Sequence, residues 1–264
     1  MDRRTYLRTL TVGGTTSLLA GCSGALGGDS SPNTYLPKPE MAKKVDSTDL
    51  PYPAWGQPLP AVTLPAPLRD ESVTLTQFEG SRTVLLTFFY SHCPKPSPNN
   101  AAICRKMIAQ MRNVQADAER HGYADRLAFL AVTFDPQRDV ADRLRTFAHE
   151  MHIDLDAGNW YFLRPESRER ADSVVQGTFG IKFSRVTPSQ PTATGSRGSD
   201  AETTAGRTTT AGYSFRHAAM MFLVDVDGYV ERVFRYESRG NPPWQDRRDT
   251  VTDLLDREKS ASRS

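Results

Sequence analysis

Three thiols and five imidazoles are the groups in this 264-residue chain best suited to chemistry with soft metals or redox partners. The thiols are Cys22, Cys93 and Cys104, too few for a disulfide framework, so each needs its own explanation. Cys93 lies in Ser91-His92-Cys93-Pro94-Lys95-Pro96-Ser97-Pro98, between an apolar run and a helical pattern. A thiol just before a helix N-terminus feels the positive end of the helix dipole, which favours the thiolate, and a protonated His92 would add to this. The competing reading is a buried structural cysteine. The flanking prolines and polar residues predict an exposed loop instead, and hence a reactive or metal-binding thiol.

Cys104 has two readings. A helix over residues 98–121 would put it seven residues past Ser97, roughly 10 Å along the axis at ~1.5 Å per residue. That is too far for a bond to Cys93, which needs Cα atoms within about 7 Å. Beside Ile103 and in line with Met107 and Met111, it then reads as core packing. A longer loop through the three prolines and Asn99-Asn100 would return it to Cys93, which keeps Cys104 open as a site partner. His217 taken alone reads as a structural histidine, and Met220 and Met221 as strand core. His149 and His152, with Glu150 and Asp154 nearby, read as a solvated helix end, with a second metal site as the sharper alternative. Asp135 and Arg138 are expected to cap the following helix and to pair near the site.

These groups need a frame. Residues 83–90 and 127–134 are continuous apolar and β-branched runs, predicted as strands buried on both faces. Apolar spacings of three and four predict helices over 98–121, 138–149, 166–176 and 246–258, with a short strand at 159–163. Residues 220–226 and 229–236 flank Asp227-Gly228, a hairpin signal. The order, parallel at first and antiparallel at the end, suits an α/β thioredoxin-like fold: a central mixed sheet with flanking helices. In such sheets chemistry gathers beyond the carboxyl ends of the strands, where Cys93 lies. Residues 187–212 are Ser, Thr, Gly, Ala and Arg, from which no core can be built; they predict a disordered surface insertion within one domain.

The N-terminus reads as an address. Arg3-Arg4 precedes a weakly apolar, Thr- and Gly-rich stretch ending in Leu19-Ala20-Gly21-Cys22. This resembles a twin-arginine export signal over residues 1–21 joined to a lipobox, with Cys22 as the lipidated residue. Residues 22–54 carry no hydrophobic period and predict a flexible tether; the domain is expected at 55–258, with 259–264 as a tail. The protein is thus expected to be exported and lipid-anchored to the outer face of the cytoplasmic membrane. A formal charge of +2 argues neither for a nucleic-acid partner nor for an acidic tail, and no nucleic-acid partner is expected.

Several segments together resemble the Sco/SenC family of copper-binding, thioredoxin-like proteins. Phe88-Phe89-Tyr90-Ser91-His92-Cys93-Pro94 is similar to the strand and Cys-Pro-x-x-Cys-Pro loop of that family. Val132-Thr133-Phe134-Asp135-Pro136-Gln137-Arg138-Asp139 is similar to its Asp-Pro-x-Arg-Asp turn. Tyr213-Ser214-Phe215-Arg216-His217, followed by 222–228, is similar to the segment bearing its ligand histidine. The resemblance implies copper, as Cu(I) or Cu(II), held by two thiolates and an imidazole. Cys93 matches the first thiolate and His217 the imidazole, while Ser97 stands at the second thiolate position. A serine hydroxyl is a poor copper ligand, so the third ligand would come from Cys104, a methionine or the partner. The resemblance further implies a metallochaperone rather than an enzyme, assisting assembly of the copper centre of a respiratory haem-copper oxidase. Two alternatives stay open: a thiol redox protein working through Cys93, by peroxide reduction or mixed-disulfide exchange, and a non-catalytic assembly factor that has lost the second thiol.

Overall fold

The structure, a computed structural model, describes residues 33–44, 46–93, 102–186, 212–236 and 244–263. The signal, Cys22, Ser97 and nearly all of the 187–212 insertion lie outside them. Two short strands, β1 (Thr63–Ala66) and β2 (Glu71–Thr74), pair as an antiparallel hairpin that the sequence reading did not contain. Then β3 (Thr83–Phe89) runs with all seven residues buried, as its unbroken apolar character requires. Helix α1 (Ile103–His121) leads to β4 (Leu127–Thr133), and α2 (Ala141–Glu150) to β5 (Trp160–Leu163). A turn of helix, α3 (Arg168–Ala171), continues into a π-helical stretch at Asp172–Thr178. Strands β6 (Phe183–Val186) and β7 (Ser214–His217) pair across the insertion. Last come β8 (Met220–Val224), β9 (Val230–Arg235) and α4 (Trp244–Ala261).

The central sheet has the order β5-β4-β3-β8-β9. Strands β3, β4 and β5 are parallel, because each is reached through a helical crossover. Strands β8 and β9 are antiparallel, turning at Gly228, whose φ of 86° suits a residue without a Cβ. The expected mixed sheet, flanking helices and parallel-then-antiparallel order are therefore all present. The core on one side of β3 is aromatic: Phe89 stacks on Phe147 at 5.4 Å and tilts against Phe162 at 5.5 Å.

The helix starts differ from expectation by two to five residues, and one difference matters for the site. Helix α1 begins at Ile103, not at residue 98: Ala102 has φ 47° and ψ 50°, a left-handed conformation that a right-handed helix cannot run through. Helix α2 begins at Ala141, because residues 135–139 form a turn in which the Arg138 and Asp139 amides donate to the Asp135 carbonyl. Asp135 therefore does not cap α2; Val140 holds that position.

Packing against the domain starts before residue 55. Leu36 is 2% exposed. The amides of Tyr35 and Leu36 donate to the carboxylate of Glu231, and the Arg257 and Trp55 side chains donate to the carbonyls of Tyr35 and Leu36. The attachment runs mainly through backbone groups, which leave no hydrophobic period to read. Gly180 is fixed by the same segment, since a Cβ there would lie 2.1 Å from the Pro51 carbonyl oxygen.

Candidate thiol–imidazole site

Strand β3 delivers its last turn, residues 90–93, to the carboxyl end of the sheet, and the late start of α1 brings Cys104 to the same place. Cys104 Sγ lies 3.0 Å from His217 Nε2. His217 is the last residue of β7, its ring packed against Phe134 (4.9 Å between centroids) and edge-on to Tyr90 (6.0 Å). Its Nδ1 donates to the Ala218 carbonyl at 3.0 Å, so the proton sits on Nδ1 and the Nε2 lone pair faces the sulfur. Burial holds the imidazole pKa below its ordinary value, which favours this neutral form.

Cys93 is 6% exposed and Cys104 is fully buried. Cys93 itself is buried rather than exposed as expected; the prolines that follow it lie outside the described residues. The neighbouring Cys104 thiol is the main cause pulling the Cys93 pKa down to about 7. Burial opposes that shift. The amides of Cys104 and Arg105, in the first turn of α1, and the Arg105 charge act with it. Cys104 moves the opposite way: burial and the neighbouring Cys93 sulfur push its thiol well up. The pair is asymmetric: Cys93 is the more acidic thiol, and Cys104 is the one that keeps its proton. A helix terminus does assist Cys93, through a turn that begins ten residues later in the chain.

A set of side chains, most of them given no role from the sequence, shapes the 91–93 turn. Asp139, fully buried, accepts from the Ser91 amide at 3.1 Å, from the Ser91 hydroxyl at 2.5 Å and from the Thr133 hydroxyl. His92 Nδ1 lies 3.2 Å from the same Ser91 hydroxyl. Arg143 donates to Ser91 Oγ and to the Ser91 carbonyl, each at 2.9 Å, and Arg105 Nε donates to the Cys93 carbonyl at 3.1 Å. Ser91, His92, Thr133 and Asp139 lie in segments the sequence singled out, whereas Arg105 and Arg143 carried no signal there. Asp135 and Arg138 do pair, and they hold the base of the β6–β7 hairpin: Tyr213 donates to Asp135 at 2.9 Å and its ring lies 3.7 Å beneath the Arg138 guanidinium.

The remaining candidates fall elsewhere. Met220 and Met221 are buried in β8. Beside His149 and His152, Glu150 is engaged by Arg105 and Arg143. Among the described residues no three His, Cys, Asp or Glu side chains have the spacing to hold a metal ion as they stand. At the thiol site Cys104 and His217 are hydrogen-bonded at 3.0 Å. The donor set itself, two sulfurs and one neutral imidazole nitrogen, is a soft one that suits Cu(I).

The fold and this site define a class: thioredoxin-like α/β proteins with a thiol pair at the carboxyl end of a central strand. A family model described as SCO1/SenC matches residues 68–251, and the chain belongs to that family. Its structure is similar to that of a SCO1/SenC family lipoprotein from Bacillus anthracis, with a TM-score of 0.53 and 17% identity over 76% of this chain and 96% of that one. It is also similar to BsSco, described as a Sco-family cytochrome c oxidase assembly protein with a disulfide switch (TM-score 0.50, 18% identity, 76% and 94% covered). A third similar structure is Arabidopsis thaliana ScoI with copper bound (TM-score 0.50, 16% identity, 76% and 98% covered). No curated protein sequence matches the chain.

Proposed function

We propose that this protein binds copper as cargo at Cys93, Cys104 and His217 and passes it to the copper centre of a respiratory haem-copper oxidase. The observation that carries the reading is the approach of Cys104 Sγ to the unprotonated Nε2 of His217, with the Cys93 sulfur near enough to the same thiol that each shifts the other's titration. Cys104 supplies the thiolate for which Ser97 is a poor substitute. The wider family supports the partner: one similar protein is an oxidase assembly protein and another holds copper. On this reading the work is done outside the cytoplasmic membrane, with Cys22 lipidated. The test is titration of the reduced protein with Cu(I) against a chromophoric chelator. One equivalent bound by the parent and lost in Cys93→Ser supports the proposal; equal binding by the two sinks it.

A second reading is favoured by the asymmetry of the thiols. The Cys93 thiolate can attack a partner disulfide and release one partner thiolate; Cys104, after losing its proton, then attacks the Cys93 sulfur and releases the second. Two electrons pass from the protein to the partner, and the protein keeps a disulfide. Reduction of a model disulfide that requires both cysteines, in a protein that binds no Cu(I), would favour this reading over the first.

A further inference from the structure

Two arginines of like charge meet at the site, and one carboxylate stands between them. Arg105, from the first turn of α1, and Arg143, from α2, both lie over the Phe147 ring, at 5.2 and 5.8 Å. Glu150, the last residue of α2, accepts Arg105 Nη2 at 2.6 Å and Arg143 Nη1 at 2.8 Å, one on each oxygen. The two arginines drive its pKa down to about 2, so the bridge is ionised throughout the physiological range. Beyond the carboxylate, each arginine reaches the backbone of the site turn: Arg105 at the Cys93 carbonyl and Arg143 at the Ser91 carbonyl. Arg105 also sits next to Cys104 in the chain. The bridge thus ties the backbone of both cysteines to α2.

We propose that Glu150 is a positioning residue for the thiol pair, holding Arg105 and Arg143 so that they fix the 91–93 turn at two carbonyls and set Cys93 against Cys104. The inference rests on the copper reading for its main measurement and carries a second measurement that does not. Ionic, geometrically matched hydrogen bonds of this kind give orientation as well as attraction, and outer-shell partners typically change metal affinity by roughly 10–100-fold.

The sign of the effect separates positioning from plain electrostatics. Were the charges acting only through the field, removing the negative Glu150 would favour thiolates and tighten Cu(I) binding, while removing the positive Arg105 would weaken it. A positioning bridge predicts that both changes weaken it. In the full-length chain carrying Cys22→Ser, so that the third thiol does not compete, Glu150→Gln and Arg105→Ala are each expected to lower Cu(I) affinity about ten-fold. The double variant is expected to lose little more than either single one, because the two residues act as one unit. Glu71→Gln, which removes the exposed Arg69–Glu71 ion pair far from the site, is the control and is expected to leave affinity unchanged.

Unchanged or tighter binding in Glu150→Gln overturns the proposal, as does strict additivity. If the parent binds no Cu(I), the copper reading fails by itself. The positioning claim is then read from the equilibrium of the Cys93–Cys104 pair with oxidised dithiothreitol, in which two protein thiols become a disulfide and the reagent becomes a dithiol. Glu150→Gln is expected to shift that equilibrium about ten-fold and Glu71→Gln not at all; no shift in Glu150→Gln overturns the claim.

Discussion

Cys104 Sγ and His217 Nε2 lie 3.0 Å apart although 113 positions separate them in the chain. One arrives on the first turn of a helix and the other on the last residue of a hairpin strand, so only the tertiary fold sets the distance. Because His217 keeps its proton on Nδ1, the nitrogen facing the sulfur is free to accept a proton or to ligate a metal.

On the proposed copper reading, Cys104 rather than Ser97 takes the second sulfur position. Cys104→Ala and His217→Ala should each weaken Cu(I) binding by more than the roughly 10–100-fold typical of outer-shell changes. Ser97→Ala should leave it unchanged. Chelator competition on the three variants checks this, and a Ser97→Ala loss as large as that of Cys104→Ala would overturn the assignment.

The thiol asymmetry has its own pH signature. Alkylation of Cys93 should rise with pH around a midpoint near 7, since only the thiolate reacts and its pKa lies at about 7. The Cys104 thiol is the largest cause of that lowering, so Cys104→Ala should move the midpoint upward, toward the ordinary thiol value of about 8.5. Mass spectrometry of carbamidomethylated Cys93 across pH 5–10 reads the midpoint; an unmoved midpoint would assign the lowering to the helix terminus and Arg105 alone.

The sheet was legible because its strands are apolar runs, and the β8–β9 hairpin because Asp227-Gly228 punctuates it. Cys93 was legible because it follows one of those runs. What Cys104 does turned on where α1 begins, and apolar periodicity does not mark a start that depends on a left-handed residue at Ala102. The site's outer shell was hidden for a different reason. Arg105, Arg143 and Glu150 sit on helix faces where charge is ordinary, and only the packing of α1 beside α2 makes them converge on two carbonyls. The β6–β7 hairpin is interrupted by the insertion, so neither strand had a turn signal to announce its partner.

Asp139 should matter to stability more than an aspartate in a loop usually does. It is fully buried and accepts three hydrogen bonds, so Asp139→Ala leaves the Ser91 amide and two hydroxyls without their acceptor. A loss of about 2–3 kcal/mol is expected, within the range for buried groups left unpaired. Urea denaturation at pH 7 measures it, and a change below about 0.5 kcal/mol, typical of surface substitutions, would show that the turn keeps its shape without this residue.

Asp225, at the end of β8, gives the stability a pH dependence of opposite sense to an ordinary ion-paired carboxylate. Its oxygen accepts the amides of Asp227 and Tyr229, yet burial and the nearby carboxylates of Glu231 and Asp227 push its pKa up to about 8. Glu231, buried and holding the Tyr35 and Leu36 amides, is shifted upward as well, with burial the largest cause. A carboxyl raised in the folded state binds protons that the unfolded chain has already released. Its stabilisation is therefore complete below the unfolded value of about 4 and is lost as pH rises toward 8. The lowered Cys93 works in the other direction, but only above about pH 7, where the folded thiol has ionised and the unfolded one has not. Between pH 5 and 7 the carboxyl effect is thus free of it. The buried His217, with its lowered pKa, opposes the carboxyl effect in this window, so the test is a difference: from pH 5 to pH 7 the parent's urea midpoint should lose more, or gain less, than that of Asp225→Asn, which keeps an oxygen for the two amides and has no proton to lose. Parallel slopes in the two proteins would place the pH dependence elsewhere than in this pair.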